Sequence, residues 1–136
     1  MKPYLWQTEA YPHHTDFGGI VWHGHYISWL EAARVAALAE CGIPFAELVA
    51  ADLSLVVIDL ALQYKAPVRL GEPVTVKAWP QAQVGIRLPW DYEVWAAERL
   101  CVTANVRLAA IKPSTGQPYR RFPPLLKSAY ERLLQP

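Results

Sequence analysis

The chain has 136 residues, of which 53% are hydrophobic and 18% charged, with a formal net charge of +1. Its length fits one domain spanning residues 1–136, and its apolar content is that of a chain with a core rather than a disordered one. The near-neutral balance supplies no general field for nucleic acid or an anionic membrane, and no apolar run reaches the roughly 18 to 20 residues of a membrane span.

The first segment, residues 4–12, is aromatic-rich, ends at Pro12 and reads as a strand. Residues 13–24 hold Gly18, Gly19 and Gly24 and read as a loop. From His25 the apolar residues Tyr26, Trp29, Leu30, Ala33, Ala37 and Leu38 recur at helical spacing. Gly42 and Pro44 stop this helix after about 17 residues. Residues 44–51 predict a short second helix with Pro44 in its first turn.

Residues 53–64 then read as a largely buried strand, and Pro67 and Gly71 as the turn after it. A strand over 74–79 stops at Pro80. Val84, Ile86, Leu88, Trp90, Tyr92 and Val94 alternate with other residues as one face of a long strand, in which Pro89 predicts an edge or a bulge. A further strand covers 99–111 and a short helix 125–134. This order predicts an α+β domain in which an antiparallel sheet of about five strands curls around one long helix. One helix leaves the outer face of such a sheet uncovered, so a homo-oligomer is expected.

Twelve residues carry the chemistry. Thr15-Asp16-Phe17-Gly18-Gly19-Ile20-Val21-Trp22-His23-Gly24-His25-Tyr26 sets a carboxylate, a glycine pair, two histidines and a tyrosine directly before the long helix. A helix start offers free N–H groups and partial positive charge to a carbonyl oxygen. A carboxylate facing it can attack an acyl carbon, or deprotonate a water that does. The backbone N–H groups of Gly24, His25 and Tyr26 are the candidate oxyanion donors. Each residue also has a plainer reading. Asp16 before glycine is common turn chemistry, Gly18 and Gly19 supply a turn, and His23 reads equally as a core histidine. Tyr26 reads as a packing residue, and Glu31 and Arg34 as a pair on the helix surface. His13 and His14 read as surface residues. No HExxH or cysteine-rich spacing supports a metal.

These residues resemble a known family. Asp16, Gly19, Val21, His23 and Tyr26 match the D-x-x-G-x-V-x-H-x-x-Y signature of hotdog-fold acyl-CoA thioesterases of the 4-hydroxybenzoyl-CoA thioesterase type. Two further stretches are similar to the family: Tyr64-Lys65-Ala66-Pro67 through Gly71-Glu72, and Val106 to Ile111 on through Gly116-Gln117-Pro118 to Pro123. Glu72 stands where the family favours Asp, and Gly24-His25 where many members carry Ala-Asn or Ala-Ser. The resemblance implies a hotdog fold, a dimer or dimer of dimers (a homotetramer), and hydrolysis of an acyl-CoA without metal or other cofactor. It implies Asp16 as nucleophile or general base, and Gly19, His23, Gly24, His25 and Tyr26 around the substrate.

Six tryptophans and seven tyrosines suit a flat acyl group such as hydroxybenzoyl or 1,4-dihydroxy-2-naphthoyl, but equally a core, so short or medium aliphatic chains stay open. Lys65, Arg69, Arg107, Lys112, Arg120 and Arg121 are candidates to meet CoA phosphates. Two alternatives remain: a hotdog enoyl-thioester hydratase or dehydratase pairing Asp16 with His23, and a non-catalytic module that binds acyl thioesters or a carrier protein. Cys41 and Cys101 form no CxxC pair, and Met1–Glu9 lacks a signal-peptide core, so a cytoplasmic protein with free thiols is expected.

Overall fold

The computed structural model describes residues 2–135. Its elements in chain order are β1 (Tyr4–Glu9), α1 (His25–Glu40), α2 (Phe45–Ala50), β2 (Ser54–Tyr64), β3 (Pro73–Pro80), β4 (Arg87–Ala96), β5 (Arg99–Lys112), β6 (Gln117–Pro118) and α3 (Pro124–Leu133). The sheet is antiparallel with strand order β1-β3-β4-β5-β2, and the two-residue β6 pairs with the end of β5. This is the α+β hotdog arrangement, with the sheet wrapped around α1.

Tyr26, Trp29, Leu30, Ala33, Ala37 and Leu38 form the buried stripe of α1. They meet the inward residues of the sheet, among them Val74, Val76, Leu88, Trp90, Tyr92 and Val94. The helix ends in a glycine cap. Gly42 lies at φ 93°, and the N–H of Ile43 reaches back to the Leu38 carbonyl at 3.0 Å. Pro44 is the N-cap of α2 rather than part of its first turn. β4 and β5 are joined by a two-residue hairpin whose Ala97 and Glu98 lie at φ 48° and 63°.

Three predicted strands change. The first stops at Glu9, because Pro12–His14 form a 3-10 turn. β4 begins only at Arg87. Val84 and Ile86 sit in the turn before it, on either side of Gly85 at φ 61°, and are 65% and 39% exposed. Pro89 lies in an interior strand, not at an edge. It faces the side that β3 has already left: the Pro89 carbonyl accepts from Gln81 N–H beyond the end of β3, so its missing N–H breaks no ladder bond. The register of this strand with β5 shifts later, between Val94 and Trp95, where Cys101 of β5 is the extra, bulged residue.

β2 differs most. Its apolar run reads as buried, yet it is one of the two edges of the sheet, with Val57 and Ile58 48% and 46% exposed. The register with β5 shifts between Val57 and Asp59, so Ile58 is a bulge residue. An exposed apolar edge is a surface for another chain to cover. Among the described residues no helix is long and apolar enough to cross a membrane.

Candidate functional site

The loop from β1 to α1 is held in shape by its own backbone and by the connection from β2 to β3. Asp16 N–H donates to Ile20 O at 2.8 Å, Val21 N–H to Val68 O at 2.8 Å, and Leu70 N–H to Gly19 O at 2.9 Å. Gly19 takes φ 74°, which an L side chain would resist, and so turns the loop tip. Within this turn one carboxylate oxygen of Asp16, Oδ1, accepts from Gly18 N–H at 2.8 Å and more weakly from Ile20 N–H at 3.4 Å. Asp16 is therefore a turn-forming residue, and its Oδ2 has no hydrogen-bond partner among the described residues.

Asp16, Ile20, Val21, His23 and Tyr26 form one wall of a cavity of about 430 Å³. The opposite wall is the end of β2 and the turn after it: Tyr64, Lys65, Ala66 and Pro67. Two tyrosines hold the walls together. Tyr64 Oη donates to the His23 carbonyl at 2.9 Å, and Tyr26 Oη accepts from Val68 N–H at 3.2 Å. Their rings meet edge-on, 5.7 Å between centroids. Burial raises the pKa of Tyr26, which keeps its hydroxyl protonated. A second cavity, of about 520 Å³, lies against Pro12, Thr15, Phe17 and Trp22 and also touches Asp16. The carboxylate thus borders both spaces.

Of the residues expected at the site, Asp16, His23 and Tyr26 share the first cavity, while Gly19, Gly24 and His25 do not line it. Gly24 supports the Trp22 indole. A Cβ at Gly24 would fall 2.1 Å from Trp22 Cζ3, so the indole as placed leaves room only for glycine. The His25 ring turns toward His14 and Trp22, at centroid distances of 5.4 and 5.6 Å. His14 is half-buried rather than a surface residue, packed edge-on against Trp29 at 5.2 Å with Nδ1 accepting from Tyr11 N–H. Burial, then the charges of His13 and His25, lower its pKa.

No side chain caps α1, and no acidic residue occupies its first turn. Of the three backbone N–H groups considered there, that of His25 is taken by the Trp22 carbonyl at 2.9 Å. Those of Gly24 and Tyr26 have no partner among the described residues.

Tyr64, Ala66 and Pro67 escaped the residue-by-residue reading, since only folding sets the end of β2 against the start of α1. Their signal was the resembling stretch from Tyr64 to Glu72. Within it Glu72 is a clamp. Its carboxylate accepts from Arg69 N–H at 2.7 Å and from both Arg99 terminal nitrogens at 2.7 and 2.9 Å, and Arg99 also donates to the Pro67 carbonyl at 2.8 Å. The longer glutamate reaches all of these. The hydrogen bonds from Arg99 hold the Glu72 carboxyl below its ordinary pKa.

Among the basic candidates Lys65 lines the cavity. Arg107 pairs with Asp59 at 2.5 Å. Lys112 lies at the far end of β5, beside the start of β2 and away from the site. The expected Glu31–Arg34 surface pair is absent from the ion pairs of the described residues: Arg34 is buried and donates to Tyr92 Oη at 3.0 Å.

The sequence profile of the thioesterase superfamily matches residues 18–103. A Synechocystis protein that carries an esterase name is 42% identical over 126 residues, covering 91% of this chain and 76% of its own length. The acyl-CoA thioester hydrolase YbgC of Escherichia coli is 26% identical over 116 residues, covering 85% and 87% of the two chains. The crystal structure of a DHNA-CoA thioesterase from Staphylococcus aureus superimposes with a TM-score of 0.89 at 30% identity, covering 97% of this chain and 91% of that one. A carboxylate and an uncapped helix start meet at one cavity in a chain with these relatives, and the chain belongs to the thioesterase superfamily, a thioester hydrolase of hotdog fold.

Proposed function

We propose that this protein is a cytoplasmic acyl-CoA thioesterase, built as one hotdog domain over residues 1–136 and working as a dimer or dimer of dimers. The observation that carries the reading is the meeting of Asp16, His23 and Tyr26 around one cavity at the start of α1. The thioester carbonyl sits at that helix start, where the free N–H groups of Gly24 and Tyr26 receive the developing oxyanion. Asp16 Oδ2 attacks the carbonyl carbon, or takes a proton from a water that does. CoA leaves as a thiolate, which needs little help from a general acid. His23 and the Tyr26 hydroxyl orient the carboxylate or the water.

The cavities on the two sides of Asp16 give an extended thioester room in both directions, and Lys65 at the rim suits a CoA phosphate. Small aromatic esters, 1,4-dihydroxy-2-naphthoyl-CoA among them, fit the size of the site, and short or medium acyl chains compete for the same space. The exposed edge at Val57 and Ile58 supports the oligomer.

The test is thiol release from a panel of aromatic and aliphatic acyl-CoAs, run with Asp16→Asn. Loss of about 10³-fold or more in kcat in a folded variant is the expected result, since the whole acyl-transfer step rests on that group. Turnover in heavy-oxygen water separates the routes, because only attack by Asp16 labels its carboxylate. Equal turnover in the two proteins would remove Asp16 from the mechanism. Esters that bind without turnover would favour the binding module, and hydration of an enoyl-CoA the hydratase.

A further inference from the structure

The connection from β2 to β3, residues 65–72, belongs to no helix or strand, yet it walls the Asp16 cavity with Lys65, Ala66 and Pro67. The start of β5 holds it in place. Cys101, the bulged residue of β5, turns its carbonyl toward this connection and accepts from Lys65 N–H at 2.8 Å and Ala66 N–H at 3.2 Å. Two residues earlier, Arg99 Nη2 donates to the Pro67 carbonyl at 2.8 Å. The same guanidinium grips Glu72 with both terminal nitrogens, at 2.7 and 2.9 Å, and Glu72 Oε1 accepts from Arg69 N–H at 2.7 Å. Pro67 and Arg69 are thereby tied to one planar fork, which a point charge does not reproduce.

The segment so fixed is bonded to the Asp16 loop. Val21 N–H donates to Val68 O at 2.8 Å and Leu70 N–H to Gly19 O at 2.9 Å, so that Ile20 lies opposite Arg69 in an antiparallel bridge. Ile20 in turn closes the Asp16 turn. Its carbonyl accepts from Asp16 N–H at 2.8 Å, and its own N–H reaches Asp16 Oδ1 at 3.4 Å. Val68 N–H also donates to Tyr26 Oη at 3.2 Å. The carboxylate and the tyrosine hydroxyl are therefore both placed by residues 68–70, and those residues by the fork. Neither Arg99 nor Glu72 lines the cavity.

We propose that Arg99 and Glu72 are positioning residues for the hydrolysis, holding residues 67–70 so that Asp16 and Tyr26 face the thioester carbonyl at the start of α1. The inference rests on the thioesterase reading above. Without the fork the cavity keeps its lining residues and its room for substrate, but the attacking group loses its aim. A shift of about 1 Å at such a group costs roughly 10²-fold in rate. The loss therefore falls on kcat rather than on KM. A residue that only braced the fold would lower stability and leave the turnover of folded molecules unchanged. A residue that met a CoA phosphate would act on KM, and lysine would replace it.

The experiment measures kcat, KM and amide hydrogen exchange for the wild type, Arg99→Met and Arg99→Lys, well below the melting temperature of each. The substrate is the acyl-CoA of the panel above that the wild type turns over fastest. Arg99→Met keeps an aliphatic side chain and removes every hydrogen bond of the fork. Its kcat is expected to fall about 10- to 100-fold, with KM within about threefold of the wild type. Arg99→Lys keeps the charge without the fork and is expected to recover only part of that loss. In Arg99→Met the Val21 and Leu70 amides should exchange about tenfold faster or more, with the amides between β3 and β4 as protected as before. Wild-type kcat in folded Arg99→Met overturns the proposal. So do full recovery by lysine, a loss confined to KM, and a lost kcat with Val21 and Leu70 still protected. Should Arg99→Met fail to fold, Arg99→Lys and Glu72→Gln decide the matter: both are expected to lower kcat with KM retained, and wild-type kcat in both overturns the proposal. A wild type that hydrolyses no acyl-CoA at all overturns the thioesterase reading and this inference with it, whereas an active wild type with kcat unmoved by these variants overturns the inference alone.

Discussion

Replacing Gly24 with alanine adds one methyl group at a position where backbone and side-chain effects oppose each other. Gly24 lies at φ −78°, ψ −20°, ordinary helical geometry, so alanine strains no dihedral. The smaller conformational entropy of the unfolded alanine chain alone would stabilise the fold by about 0.4–1 kcal/mol. The new Cβ, however, would stand 2.1, 2.5 and 2.8 Å from Trp22 Cζ3, Cη2 and Cε3, so the indole must leave Gly24. Overpacking of this kind costs about 1–3 kcal/mol. The indole also packs against His23 and His25, at 4.7 and 5.6 Å, so it does not swing away freely. We expect a net loss of about 1 kcal/mol in the wild type and a gain of about 0.5 kcal/mol in the Trp22→Ala background. Urea denaturation of the four proteins at one fixed concentration measures both arms, and their difference is the coupling between the two residues. A stabilising Gly24→Ala in the wild type, or the same effect in both backgrounds, would refute the steric account of this glycine.

Tyr130→Phe leaves the fully buried Trp90 indole N–H without the 2.6 Å partner it now has, and should cost about 1–3 kcal/mol in thermal or urea denaturation. Glu72 is depressed below its ordinary carboxylate pKa of 4.5 in the fold, so its contribution is complete above that value and fades as pH falls through the lower folded value. The stability gap between wild type and Glu72→Gln should therefore be constant at neutral pH and narrow in acid, as pH-dependent denaturation will record. Val57→Lys puts a charge on the apolar edge of β2 and should shift the sedimentation-velocity profile toward smaller species.

Much of this architecture is readable from residues alone because its signals are local. The apolar stripe of α1 and its Gly42 stop depend on helical period and on φ at one residue. The turn at Asp16 likewise follows from a short carboxylate beside glycine. What escaped depends on partners distant in sequence. The apolar run of β2 looked like a core strand, since hydrophobicity does not tell whether the burying surface belongs to the same chain. Arg34 looked like a surface residue beside Glu31, since its bond to Tyr92 spans 58 positions. Val84 and Ile86 kept the alternation of a strand, but Gly85 at positive φ turns the chain between them. At the site, His23 and Tyr26 lay inside the recognised motif, whereas Tyr64 joined them only through the sheet.

The two tyrosines that join the cavity walls bridge distant parts of the chain: Tyr64 to His23 across 41 positions, and Tyr26 to Val68 across 42. Contacts of such range form only after the chain has paid the entropy of closing the intervening loop. The cavity is therefore completed late in folding, when the edge strand β2 docks on β5. The same strand is one of the two edges of the sheet, bonded on one side only within the chain, and so is free to fray. Fraying at Tyr64 would dismantle the cavity while the remaining strands stay paired. Catalytic activity should then fail at lower denaturant than the bulk secondary structure, making turnover a more sensitive gauge of intact folding than circular dichroism.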